Sequence, residues 1–258
     1  MGGPGRRGHR QTAAVDDHLS RKLLTMTRKR FFTNVSTAVG LVAALLLLTQ
    51  IVGHSHVSSG LWDAGDIPVR IHLGNLSAAW RNAAIDGLRA WNNAGAAFAF
   101  SWSATSRAPA DCERYDGTNS VIWSDTQCSL GRRLAWDDNL LAKMHFWTLR
   151  STGAIVDADV MFNDAKRWSI YNGPLRRSGD GSMWDFRRVA THEFGHVLGL
   201  DHPDDHGQER TALMNSETSD IDTLQADDVN GVRDLYGSDP GAAARTWWSA
   251  RSESTTAR

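Results

Sequence analysis

The amino-acid sequence predicts one α+β domain, in which helices pack on a mixed β-sheet. Two observations indicate this fold class. Several short segments alternate apolar and polar residues, as half-buried strands do, and three segments have the spacing or the end signals of helices. The 258 residues, 41% of them hydrophobic, allow one core of ordinary size with appendages, because domains usually contain roughly 100–200 residues.

The predicted elements begin after the turn-like residues 63–66. Residues 67–73 alternate and are rich in β-branched side chains, which predicts a strand, and a helix is predicted from Ser77 to a stop near Gly95. The later predicted elements are strands over 98–102, 120–123, 141–149 and 155–162, then helices over 185–198 and 226–235. The strands over 141–149 and 155–162 are separated by a short Ser-Thr-Gly turn, so we expect them to form a hairpin.

The amino-terminal part predicts export. Residues 1–30 are basic, and residues 31–53 carry no charge, with a core over 38–52 whose length lies between that of a signal peptide and that of a membrane span. Translation from Met26 would give an ordinary signal peptide, and translation from Met1 favours a membrane anchor. In both cases the basic residues 28–30 favour the cytoplasmic side, so the chain after residue 60 is expected outside.

These patterns divide the chain into four parts. They are a basic segment over 1–30, a signal peptide or anchor over 31–60, the α+β domain over 61–240 and a disordered tail over 241–258. Eight of the 28 basic residues but only two of the 29 acidic residues lie within residues 1–60. The rest of the chain is therefore acidic, which argues against nucleic acid as a partner.

The two cysteines, Cys112 and Cys128, both fall in the part predicted to be exported. Because the exterior is oxidising, we expect them to form a disulfide, which would stabilise the fold by about 3 kcal/mol in the chain-entropy model. The alternative is two free, buried thiols. Their spacing matches no zinc site.

The chemistry is concentrated in residues 191–202, which read THEFGHVLGLDH. His192 and His196 are four residues apart, so on a helix both imidazoles face one side and can reach one ion. Gly199 can take a positive φ, end the helix and turn the chain so that His202 becomes the third ligand. Three histidine nitrogens leave one tetrahedral position for water, as in catalytic zinc sites.

Glu193, beside the first ligand, is the predicted catalytic base. It would take a proton from a zinc-bound water, which then attacks a carbonyl carbon, and return the proton to the leaving amine. The alternative for a bare His-Glu-x-x-His pattern is a surface pair without metal. Gly199 and His202 make that alternative a poor one.

Together with residues 212–214 (ALM) and 224–237, this run resembles the matrixins, the matrix-metalloprotease-like branch of the metzincins. The resemblance extends over residues 66–237. It implies a twisted five-stranded mixed sheet with three helices, and Met214 in a turn below the zinc site. It also implies that Asp227 faces the mature amino terminus, that Asp228 braces the methionine turn, and that residues 141–147 form an edge strand against which an extended peptide pairs.

The sequence also departs from that family. Residues 124–140, where matrixins usually bind a second, structural zinc, contain no histidine, so the disulfide is the candidate substitute. Asp157, Asp159 and Asp164 are candidate Ca²⁺ ligands, although the glycine-rich calcium loops of the family are absent.

The sequence therefore predicts a monomeric zinc metalloendopeptidase, secreted or held at the membrane through residues 31–53, that acts on polypeptides. Two alternatives from other classes stay open. One is a zinc-containing extracellular binding domain without turnover. The other is a membrane-anchored interaction protein.

Overall fold

A computed structural model describes residues 60–63, 65–105, 115–129, 132–178 and 181–239. All of them belong to the second of the two units into which the chain divides, His54–Arg258. The predicted amino-terminal segment, the predicted signal peptide or anchor and the predicted tail lie outside these ranges. Among the helices that the structure describes, none is long and apolar enough to cross a membrane.

The described secondary structure comprises eleven strands, three α-helices and one turn of 3₁₀ helix. In chain order they are β1 (Leu61–Trp62), β2 (Asp66–His72), α1 (Ala78–Asn92), β3 (Ala99–Ala104), β4 (Asn119–Ser124), β5 (Gln127–Ser129), β6 (Arg132–Leu134), β7 (Ala142–Thr148), β8 (Ala154–Asn163), β9 (Trp168–Ser169), β10 (Arg176–Ser178), β11 (Gly181–Asp185), α2 (Phe186–Val197), the 3₁₀ turn (Asp204–His206) and α3 (Ala226–Tyr236).

The central sheet is mixed, and its strand order is β3-β2-β4-β8-β7. The first four strands are parallel, whereas β7 runs antiparallel to β8 and closes the predicted hairpin. The predicted five-stranded mixed sheet and the three helices are therefore confirmed. A sixth, two-residue strand was not predicted: β1 pairs in parallel with the start of β8.

Two small sheets were also not predicted. β5 and β6 form a short antiparallel pair, and β9, β11 and β10 form a three-stranded sheet directly before α2. Their strands contain two to five residues. A stretch of this length shows too few alternations to distinguish a strand from a turn.

Helices α1 and α2 pack against each other and cover one face of the central sheet. Trp91, fully buried on α1, donates its indole N–H to the carbonyl oxygen of Thr191 on α2 at 2.7 Å. The side chain of Asn92 bonds both the N–H and the C=O of Phe100, which ties the end of α1 to β3. These bonds satisfy buried polar groups, as a well-packed interior requires.

The start of α2 is held by a cluster of aromatic rings around Phe186, with ring centroids 4.7–6.0 Å from that of Phe186. The partners are Trp80, Trp123, Phe162 and Trp168. Asp185 caps the helix, because its carboxylate accepts the N–H of Arg188. The helix that carries the zinc motif is thus fixed at its beginning by apolar packing and by a cap.

The predicted disulfide is only partly within the described structure. Cys128, at the centre of β5, is buried and disulfide-bonded, whereas Cys112 lies outside the described ranges. The ammonium group of Lys143, on β7, donates to the carbonyl oxygen of Cys128 at 3.0 Å. The β5–β6 pair is therefore tied to the edge strand of the central sheet.

Candidate metal centre

Three histidine side chains converge at the carboxyl end of α2. His192 and His196 lie one turn apart on the helix, and His202 follows in the loop after it. Their Nε2 atoms are separated by 3.0, 3.0 and 3.1 Å. Within the part of the chain that the structure describes, this is the one group of three potential ligands gathered closely enough for a metal ion.

The three nitrogens fit a tetrahedral zinc ion. Zinc–nitrogen bonds of roughly 2.0–2.1 Å put tetrahedral ligands about 3.3–3.4 Å apart, close to the separations observed here. Each Nδ1 atom faces an acceptor: Leu213 O at 2.8 Å for His192, Leu200 O at 2.8 Å for His196, and an Asp205 carboxylate oxygen at 3.0 Å for His202. Because the Nδ1 atoms carry the protons, all three Nε2 lone pairs are available to the ion.

The protonation of the two helical histidines also suits a cation. Burial, together with the neighbouring histidines, lowers the pKa of His192 well below its usual range and that of His196 to about 4. Neutral imidazoles are the form that binds zinc. The histidine triad is therefore a zinc site.

Gly199 provides the turn that the sequence predicts. It has a φ of +88°, and its N–H donates to His196 O while the next N–H, that of Leu200, donates to Gly195 O. A left-handed residue at this position ends the helix and is cheap only for glycine. The turn brings His202 back towards the two helical ligands.

Met214, predicted to lie in a turn below the zinc site, packs against Gly195 of the helix that carries two of the histidines. It is buried, and its sulfur would lie only 2.2 Å from a Cβ atom built on Gly195, while Trp91 would lie at 2.8 Å. No side chain fits at position 195 without a shift. A side chain here would displace Met214 or Trp91, so the glycine allows the observed close contact between α2 and the methionine turn.

Asp228 holds the same turn from α3. Its carboxylate accepts the N–H groups of Leu213, Met214 and Gln225 at 2.7–3.1 Å. Asp228 is 2% exposed, and burial raises the pKa of its carboxyl. Asp227 is half-buried, and the amino terminus that it is predicted to face lies outside the described ranges.

Glu193 lies between the two helical ligands in sequence, and its side chain faces the same cavity as theirs. It is 7% exposed, and burial raises its pKa to about 8. A divalent cation on the adjacent histidines would favour the carboxylate form. Glu193 thus has both a raised pKa and access to the cavity.

The cavity beside the histidines has a volume of about 500 Å³. Residues 139–144, at the start of the edge strand β7, form one wall, and residues 217–219 and Ile221 of the loop after Met214 form another. Arg188 also lines it and was not predicted. It lies four residues before His192, on the same face of the helix, so helical spacing counted back from that histidine would have found it.

Two aromatic residues, also not predicted, cap the carboxyl end of α2. Trp62 donates its indole N–H to Val197 O at 2.7 Å, and Tyr236 donates its hydroxyl to Leu198 O at 2.9 Å. Both carbonyls lie at the helix end, where no further turn supplies a donor. Residues from the beginning and the end of the domain thus fix the helix just before the Gly199 turn.

The predicted calcium ligands do not converge. Asp157 accepts the N–H groups of Asp116 and Gly117, Asp159 accepts that of Ser120, and Asp164 is exposed. In the described ranges they form no group of three within metal-binding reach. Calcium binding stays a prediction.

Asp159 should make stability depend on pH. Burial and the neighbouring Asp157 raise its pKa to about 7 from an ordinary value of 3.8. The folded state therefore binds this proton more tightly, and the free energy of unfolding should fall as the pH rises from about 4 to 7. Because Asp159 is partly solvated, we expect a loss on the order of 1–2 kcal/mol.

Urea unfolding at pH 5 and pH 8 measures this loss, and D159N should reduce it. An equal loss in D159N would assign the pH dependence to other groups. Adding Ca²⁺ at pH 8 tests the calcium prediction in the same experiment. A bound ion would stabilise the unaltered chain and not the variant.

The family model described as matrixin (Peptidase_M10) matches residues 83–237. The chain is 33% identical over 97 residues to matrix metalloproteinase-27 from Homo sapiens, covering 36% of this chain and 16% of that protein. It is 35% identical over 77 residues to metalloendoproteinase 1 from Glycine max, covering 30% and 25%. To the interstitial collagenase of Equus caballus it is 34% identical over 88 residues, covering 33% and 16%. The chain thus spans a quarter or less of the length of these relatives.

Proposed function

Because the chain belongs to the matrixin family, we propose that it is a zinc-dependent metalloendopeptidase. The observation that carries this proposal is the position of Glu193. A buried glutamate with a raised pKa shares a cavity wall with three histidines whose Nε2 atoms converge. A site that only bound zinc would not need a titratable carboxyl at this place.

Zinc on the three histidines would supply a Lewis acid, which polarises the scissile carbonyl and lowers the pKa of water. Glu193 carries out the proton transfers of the reaction. Its carboxylate takes a proton from the attacking water and passes it to the nitrogen of the departing amine, so neither free hydroxide nor expulsion of an amide anion is required. Its poorly solvated position raises its basicity, which favours the first transfer near neutral pH.

The substrate is proposed to be a polypeptide in an extended conformation. β7 pairs with β8 along one side, and β7 is the terminal strand in the order of the central sheet. Its first residues line the cavity. An extended peptide could therefore add to this edge through main-chain hydrogen bonds, with one side chain entering the cavity.

The protein is further proposed to act outside the cell as a monomer, either secreted or held by residues 31–53. The uncharged segment after a basic cluster and the disulfide at Cys128 support export. The pairing of Cys128 with Cys112 is part of the same proposal. So is the division of the chain at residues 30, 60 and 240.

The test is hydrolysis of casein by the purified chain. Zinc-loaded protein should cut casein, a zinc chelator should stop the reaction, and Zn²⁺ returned in slight excess should restore it. Zinc bound at one ion per chain without hydrolysis of casein or of a peptide library would contradict the proposal. That result would favour the zinc-containing binding domain without turnover.

A further inference from the structure

The hairpin β10–β11 places an arginine at the cavity. Arg177 on β10 pairs in register with Ser182 on β11, and both line the cavity together with Trp184, two residues further along the same strand. Residues paired across strands, and residues two apart along one strand, share a face of the sheet. One face of the hairpin is therefore turned towards the metal centre's cavity.

The other face of the hairpin is packed on Tyr171. The guanidinium of Arg176 lies 4.1 Å from the centroid of that ring, and the tyrosine hydroxyl donates to the carbonyl oxygen of Met183 and accepts the N–H of Arg176. These contacts fix which face of β10 is turned inwards. The side chains of Arg176 and Arg177 thus lie on opposite faces of the hairpin.

Two other described cations line the cavity, and both have acceptors. Lys143 donates to Cys128 O, and the buried guanidinium of Arg188 donates to Ser219 O and Gly173 O. Arg177 is exposed, and no acceptor or carboxylate from the described ranges lies within bonding distance of its guanidinium. Among the described cations that line the cavity, Arg177 is the exposed one. Buried Arg188 leaves only its Nε without an acceptor.

Among the described residues, the acidic groups that line the cavity, apart from Glu193, are Asp201 and Glu217. Asp201 accepts the N–H of His202 and faces the ring of His206 at 3.2 Å, so its oxygens are engaged. Glu217 is exposed on the loop after Met214, which adjoins the start of β10 through the bond from Leu175 N–H to Asp220. Much of the remaining wall is apolar, formed by Leu140, Leu141, Met144, Val189, Leu213 and Ile221.

We propose that Arg177 recognises a carboxylate on the substrate, so that the enzyme prefers polypeptides with Asp or Glu at the position nearest this cavity. A guanidinium presents paired N–H donors that match a carboxylate, and here it lies at the rim of a cavity with several apolar wall residues. This inference rests on the proposed peptidase activity. It assigns Arg177 a role in specificity rather than in the chemical step.

The test uses the zinc-loaded full chain and quenched fluorescent peptides that differ only in Glu or Gln at one position. Glu is moved along the peptide, one residue at a time, on both sides of the scissile bond. At one or two neighbouring positions, Glu should raise kcat/KM on the order of tenfold over Gln. R177Q should remove that preference, and R177E should replace it by a preference for Lys.

Arg176 provides the matched control, since it precedes Arg177 on the same strand and carries the same charge. R176Q should keep the preference for Glu, and E217Q should keep or increase it. Equal rates for Glu and Gln at every position would overturn the inference. So would a Glu preference that survives in R177Q.

A binding measurement tests the role of Arg177 independently of the proposed peptidase activity. Fluorescence anisotropy of the same labelled peptides with zinc-loaded E193A reports recognition without cleavage. Tighter binding of the Glu peptide that is lost in the E193A/R177Q double variant supports the role of Arg177, even if no peptide is cut. If the peptides are hydrolysed but Glu gives no higher kcat/KM than Gln, the proposed peptidase activity is supported and the role of Arg177 is refuted.

Discussion

Replacement of Glu193 by alanine is expected to lower kcat for peptide hydrolysis by about 10²–10⁴-fold, the range typical of a positioned general base. The three histidines and their acceptors are unchanged by this substitution, so zinc content should stay at one ion per chain. Initial rates with a fluorogenic peptide, together with metal analysis of the same samples, measure both quantities. E193Q, which keeps the shape of the side chain without its basicity, should be equally impaired.

E209A provides the control, because Glu209 is exposed and does not line the cavity. Its rate should stay close to that of the unaltered chain. If E193A retained most of its activity, another group would have to take the proton, and the role proposed for Glu193 would be wrong. If E193A lost its zinc, the rate would report on the metal site instead of the base.

Replacement of Asp228 by alanine should cost on the order of 3 kcal/mol or more in free energy of unfolding. Three buried or half-buried N–H groups would lose their acceptor, and each unsatisfied group costs about 1–3 kcal/mol. Two of them belong to Leu213 and Met214, whose turn also supplies the acceptor for His192. We therefore expect weaker zinc binding as well. Urea denaturation and zinc titration against a competing chelator measure the two effects.

Asp227, the preceding residue in the same helix turn, serves for comparison. It is half-buried, and D227A should cost less than about 1 kcal/mol, as is usual for a partly solvated charge. Similar losses in D227A and D228A would show that the effect comes from helix α3 as a whole. The bracing of the methionine turn by Asp228 would then be refuted.

The metal site could be predicted from the sequence because its geometry is local. Two ligands are one helical turn apart, and a glycine supplies the turn to the third, so the spacing alone fixes the arrangement. The longer strands and α1 could be predicted for a similar reason, since their apolar periodicity extends over seven or more residues. The observed boundaries of β2 and α1 differ from the predicted ones by about one to three residues.

The contacts that depend on distant residues could not be predicted. Trp62 reaches Val197 across 135 positions, and Arg177 is turned to the cavity only because β10 pairs with β11. Neither strand has enough residues for a periodic pattern. Asp205 is a different case, because it lies only three residues after His202. A metal-binding histidine commonly donates its other ring N–H to a carboxylate, so this short separation is a signal that could have identified Asp205.

Two of the acceptors that orient the histidines belong to the main chain and one belongs to a side chain, so only the third can be removed by a substitution. Leu213 and Leu200 contribute main-chain carbonyls, which every amino acid carries, so no single codon change at either position deletes the acceptor. Asp205 contributes a side chain. Substitutions of this exposed residue can therefore change zinc affinity while the three ligands and the fold are kept, whereas changes at buried Asp228 would also cost stability. A laboratory selection for altered metal affinity should find its first solutions at Asp205.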